Sequence, residues 1–294
     1  MEIRTDLAVE LTEALDEGQG LPRGIRVRTE ERFGAEATVV EITSRAGEKA
    51  LGRPKGVYVT IGLEPVLRRE RDSFSSAVEA ISGYIRELLG LPEHLPVLVA
   101  GLGNRAITPD SVGPLTADHI LVTRHMVEKM PDTFGGYRPV TALVPGVLGT
   151  TGMESSETVR ALVEKSGAAA VIAIDAIAAR DTRRLCSTVQ LSNTGISPGS
   201  GIGNHRNALN EGTLGVPVIA VGVPTVTDAG TLALDVLEQA GVEPGEDTCF
   251  STGMIVTCSD IDRRVREVAR VLAYGVNSAL QRGLSVEDLE DLTF

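Results

Sequence analysis

The sequence predicts an α/β fold: a mostly parallel sheet with helices on both faces, preceded by an N-terminal β-containing extension. Three observations predict it. Apolar runs rich in Val and Ile recur at 97–101, 140–144, 170–174, 187–191 and 216–221. Amphipathic stretches at 111–129, 155–166, 228–240 and 260–281 are interleaved with them. Strands covered on both faces read as continuous apolar runs, and strand–helix alternation builds parallel sheets. The chain also carries 32 glycines and no tryptophan, which suits closely packed layers.

The elements follow in order. Residues 1–60 alternate charged and β-branched segments, and the runs at 39–43 and 57–61 read as strands. Residues 73–90 place Phe74, Val78, Ile81, Ile85, Leu88 and Leu89 on one helical face. From residue 97 the α/β alternation takes over. No repeat, low-complexity tract or long linker interrupts the 294 residues. The reading is therefore one domain over 1–294, with 1–72 as a candidate N-terminal β subdomain.

Charge and composition bound the function. With 28 basic and 40 acidic residues the net charge is −12, which disfavours direct nucleic-acid binding. Three cysteines without C-x-x-C spacing argue for a reducing compartment and against a disulfide scaffold. No apolar stretch follows Met1, and no run approaches the ~18 apolar residues of a membrane span. The expectation is a cytoplasmic protein with no signal peptide and no membrane partner.

Two aspartates carry the chemistry. Asp110 ends the run G-L-G-N-R-A-I-T-P-D after the 97–101 strand, and Asp175 closes A-V-I-A-I-D. In an open parallel sheet, ligands bind outside the carboxyl ends of the strands. Two carboxylates at that edge could share a proton and activate a water. Asp110 has a competing reading, since an acid before a helix commonly caps it. Asp175 is harder to explain structurally, because an acid after an all-apolar strand must be paired, hydrogen-bonded or at the sheet edge.

Other motifs are weaker. Gly195-Ile196-Ser197-Pro198-Gly199 matches G-x-S-x-G, but the residue after the serine must donate its N–H, and Pro198 has none. Gly199, Gly201 and Gly203 form a glycine-rich loop over 194–206 that reads as a wall beside the acids. Arg180, His205 and Arg206 flank it and could bind a substrate carboxylate, with Arg180 preferred for its short connection to Asp175. His94, His119, His125 and His205 lack ligand spacing, so the expectation is no metal and no cofactor.

Several of these segments carry a family resemblance. G-L-G-N-R-A-I-T-P-D, L-V-T-R-H, G-Y-R-P-V, P-G-V-L-G-T-T-G-M-E, A-I-D-A-I-A-A-R, T-G-I-S-P-G-S-G-I-G-N and G-V-P-T-V-T-D-A resemble the germination protease (spore protease) of endospore-forming bacteria. They occur in that family's order, and the N-terminal R-T-D-L-A-V-E fits as well. The resemblance implies an atypical aspartic-type endopeptidase with a fold similar to the hydrogenase-maturation endopeptidases. The implied catalytic acids are Asp110 and Asp175. The implied substrates are small acid-soluble spore proteins, cut after Glu before a large apolar residue. The implied setting is a homotetramer in the spore core or forespore, made as a zymogen. Glu2-Ile3-Arg4-Thr5-Asp6 resembles the family's processing pattern, with only Met1-Glu2 before a cut between Glu2 and Ile3. Two other classes stay open on the sequence: a metal-assisted maturation-type peptidase, and a non-catalytic relative that binds spore proteins.

Overall fold

The computed structural model describes residues 4–16, 20–199, 206–242 and 253–293. Its strands are β1 (Ile25–Arg32), β2 (Ala35–Ile42), β3 (Gly56–Gly62), β4 (Val97–Gly101), β5 (Val140–Leu143), β6 (Ala170–Ala178), β7 (Thr188–Ser192), β8 (Val218–Asp228) and β9 (Ile255–Val256). They join in one sheet in the order β1-β2-β3-β7-β8-β6-β4-β5, and β9 adds to the far end of β8. The half that runs β8-β6-β4-β5 is parallel. The half that runs β1-β2-β3-β7 is antiparallel throughout and meets β8 antiparallel. The N-terminal strands thus continue the main sheet through β7.

Alternation along β4 shows why both faces must be covered. Val97 and Val99 enter a core with Ile81 and Ile85 of helix Ser73–Leu89 and Val268 and Leu272 of helix Ile261–Leu280. Leu98 and Ala100 enter a second core with Val159 and Val163 of helix Ser155–Ser166. Successive strand residues point to opposite faces, so an all-apolar strand needs a helix layer on each side.

Two expectations need correction. The predicted helix over 111–129 is two helices, Val112–Asp118 and Arg124–Lys129. The break is tertiary: the Asn277 side chain accepts from the Leu121 amide at 2.9 Å and donates to the His119 carbonyl at 2.8 Å. Side-chain bonds to a distant helix thus replace helical ones. The strands expected over 170–174 and 216–221 are longer, running to Ala178 and Asp228. Asp175 therefore lies within β6, paired with Gly222, and three further residues follow it in the strand.

Candidate active site

The turn after β4 sets Asp110 in place. Gly103 has φ +111°, and a side chain there would meet the Asp110 carbonyl oxygen at 2.0 Å. Only glycine tolerates that backbone and that approach. The chain then closes through a short 3₁₀ turn, Thr108–Asp110, into helix Val112–Asp118. Gly113 brings this helix against the sheet, since a Cβ there would lie 2.3 Å from the Leu102 carbonyl and 2.4 Å from that of Ile174. The Asp110 carboxylate accepts from the Asn104 amide at 2.8 Å. It reaches back across its own turn, and no side chain caps the helix that follows.

Asp175 is 2 % exposed. It sits well above the usual carboxylate range, chiefly through burial and then through the charge of Asp110; the Ala176 amide opposes this, and the charge of Asp6 adds to it. Burial also raises Asp110, against the Asn104 amide. Of two neighbouring carboxylates the more desolvated holds its proton more tightly, so Asp175 is protonated more readily than Asp110.

Both acids line one cavity of about 420 Å³. Its other walls include Asp6, Pro198, Gly199, Arg206 and Thr225. Thr225 is the extra residue of a β-bulge, because Ile177 pairs with Pro224 and Ala178 with Val226. Its hydroxyl has no hydrogen-bond partner among the described residues. Ile107, Leu148 and Ile255 also line the cavity and are exposed, so its mouth has an apolar rim.

The remaining predicted residues divide. Gly199 and Arg206 lie on the cavity, and Arg206 is 3.7 Å from Glu154 across it. Arg180 is not among the lining residues. Its guanidinium pairs with Asp235 at 3.2 Å and with Glu238, and its amide donates to Glu10 at 2.7 Å. The short connection that favoured it turns it outward, because the chain leaves β6 toward the helix Ala229–Gln239. Gly201, Gly203, His205, Glu2 and Ile3 lie outside the described residues. Ser197 lines a separate, smaller cavity. His119 is bonded to the Thr293 carbonyl. Among the described residues no group of three or more His, Cys, Asp or Glu is arranged to hold a metal ion. Asp6 was missed as a site residue, although R-T-D is plain in the sequence. An acid before a helix reads as a cap, and no local pattern announces a contact with residue 178.

Comparison with known proteins decides the family. Residues 3–241 match the family model described as germination protease. The chain belongs to the germination protease family. A germination protease of Caldanaerobacter subterraneus subsp. tengcongensis is 40 % identical, over 99 % of this chain and 98 % of its own. One from Bacillus pumilus is 42 % identical, over 98 % and 96 %. Among solved structures, a [NiFe] hydrogenase maturation protease from Thermococcus kodakarensis aligns with 66 % of this chain and 98 % of its own, at TM-score 0.34 and 15 % identity. Membership in this family makes the chain a protease, and a protease acts on peptide bonds. No described helix is long and apolar enough to cross a membrane.

Proposed function

We propose that this germination protease cuts small acid-soluble spore proteins after Glu and before a large apolar residue, with Asp110 and Asp175 as its acid/base pair. The observation that carries the reading is the convergence of two carboxylates of unequal burial on one cavity. The Asp110 carboxylate takes a proton from water as the water oxygen attacks the scissile carbonyl carbon. Asp175 gives its proton to the carbonyl oxygen, forming a neutral gem-diol. Asp110 then protonates the departing nitrogen as the C–N bond breaks, and Asp175 recovers a proton from the gem-diol. Each acid ends as it began.

Specificity follows from the walls. We assign the substrate Glu to Arg206, the cation among the described lining residues, in competition with Glu154. The rim of Ile107, Leu148 and Ile255 suits an apolar residue beyond the scissile bond. A homotetramer in the spore core, and removal of the first residues between Glu2 and Ile3, complete the proposal on family grounds. Incubation with a purified small acid-soluble spore protein, followed by mass spectrometry of the fragments, tests it. New termini after Glu are expected, and their absence from Asp110→Asn and Asp175→Asn digests. Cleavage at unrelated bonds, or near-normal cutting by either variant, would overturn the proposal.

A further inference from the structure

The cavity holds a third aspartate. Asp6 is 7 % exposed and lines both the large cavity and a smaller one of about 90 Å³ behind it. Its carboxylate accepts from the Ala178 amide at 3.0 Å and from the Arg53 guanidinium at 3.0 Å. Its own amide donates to the Ala178 carbonyl at 2.9 Å, so the N-terminal segment is zipped to the end of β6. Arg53 also donates to the Thr5 carbonyl at 2.7 Å, and the Gln190 side chain donates to the Asp6 carbonyl and accepts from the Ala8 amide. Two bonds to its carboxylate and two to its backbone therefore fix Asp6 at Ala178, three residues past Asp175 along β6. A buried negative charge is costly unless it is paired and hydrogen-bonded; Arg53 and the Ala178 amide supply both, and Arg53 does so from outside the large cavity.

We propose that Asp6 is a positioning residue for the acid pair: its Arg53-held carboxylate fixes the end of β6, the strand that carries Asp175, and sets a further negative charge on the wall of the same cavity. This rests on the acid-pair reading above. Among the described residues, few charged or titratable groups line this cavity and the smaller one behind it. Asp110 faces Asp175 from the turn after β4, and Asp6 from the N-terminal segment. Arg53 and Tyr58 stand behind Asp6, and Glu154 and Arg206 stand across the cavity. Asp6 disfavours loss of the Asp175 proton, and Arg53 tempers that effect by neutralising part of the Asp6 charge. The N-terminal segment would then set the acidity of the site as well as its shape.

The two partners of the salt bridge should act in opposite directions. In Asp6→Asn the negative charge is gone, so Asp175 gives up its proton at lower pH. The alkaline limb of kcat/KM moves down, and activity at that end falls roughly 3-fold or more relative to the optimum. In Arg53→Gln the charge of Asp6 is no longer compensated, and the alkaline limb moves up. Both profiles would be measured on a synthetic peptide containing Glu-Ile-Ala-Ser-Glu, beside Asp110→Asn and Asp175→Asn. A purely structural salt bridge gives equal stability losses in both variants with both limbs in place, and that result overturns the proposal. So does failure of both variants to fold. Near-normal turnover by Asp110→Asn or Asp175→Asn would instead remove the acid pair itself. If both of those are inactive while the Asp6 and Arg53 profiles overlay the native one, the proposal about Asp6 alone is lost.

Discussion

A buried carboxyl that is raised above its ordinary range leaves a signature in stability as well as in rate. The folded Asp175 binds its proton more tightly than the unfolded chain does. Between the two pKa values the native state carries the extra proton, so stability falls as pH rises from the ordinary Asp value through the folded one. Asp175→Asn removes that penalty while filling the same space. We predict that it abolishes peptide hydrolysis yet raises the melting temperature, with a gain that grows toward alkaline pH. Equal melting curves at pH 5 and pH 8 relative to the native protein would contradict the burial argument. The arginines make a second residue-scale test. Arg206→Ala is expected to lower kcat/KM on Glu peptides by about 10-fold or more, and less on Gln peptides, because a desolvated charge pair is worth about 2–5 kcal/mol when broken. Arg180→Ala should spare that discrimination, since its guanidinium is committed to Asp235 and Glu238. Equal losses on both peptides in Arg206→Ala would assign Arg206 to structure. Asp110 and Asp175 drew attention because each follows an apolar run in the sequence, where charge needs a reason, and both line one cavity. Asp6 drew no attention, because its partners, Arg53 and Ala178, are 47 and 172 residues away.

Elements were read best where one local pattern governs them. Helix Ser73–Leu89 and helix Ser155–Ser166 form where apolar spacing places them, each packed on its own face of the sheet. The 111–129 pattern failed because Asn277, from helix Ile261–Leu280, takes backbone groups that a continuous helix would have used. β1 escaped notice for a different reason. Its sequence, I-R-V-R-T-E-E-R, buries only Ile25 and is otherwise exposed or half-buried, so it pairs with β2 at an edge without an apolar face to announce it. One element that needs its exact residue is the start of helix Val112–Asp118. Gly113 lies against two backbone carbonyls, neither of which can rotate away. Gly113→Ala should push this helix from β4 and β6 and carry Asp110 with it. We predict a loss of about 1–3 kcal/mol in stability, the usual cost of overpacking, and a disproportionate fall in kcat. Alanine is a better helix former than glycine, so propensity alone predicts the opposite sign. A more stable, fully active Gly113→Ala protein would show that the contact is loose.

At the scale of the molecule the open question is whether residues 1–72 behave as a unit. The sequence separates them, because β-rich segments give way to α/β alternation after the helix at 73–89. The sheet joins them: β3 pairs with β7 from Tyr58 to Gly62, and Val59 and Ile61 share a core with Ile81, Val189 and Leu272. Asp6, which lines the candidate active site, and Arg53, which holds it from behind, come from the same segment. Removing it would bare the edge of β7 and the apolar residues that Val59 and Ile61 cover, and exposed edges of that kind aggregate. We predict that the chain lacking residues 1–72 yields no soluble folded protein, and that the whole chain melts in one calorimetric transition. Magnitudes make the second test sharp. Unfolding enthalpy runs near ~0.7 kcal/mol per residue around 60 °C, so an independent N-terminal unit would melt with about 50 kcal/mol of its own. A separate transition of that size, with hydrolytic activity surviving above it, would mean that the β layer is an appendage and that the acid pair does not depend on it. A single transition that takes activity with it would make the nine strands one cooperative sheet, with Asp6 of the N-terminal segment part of the cavity wall.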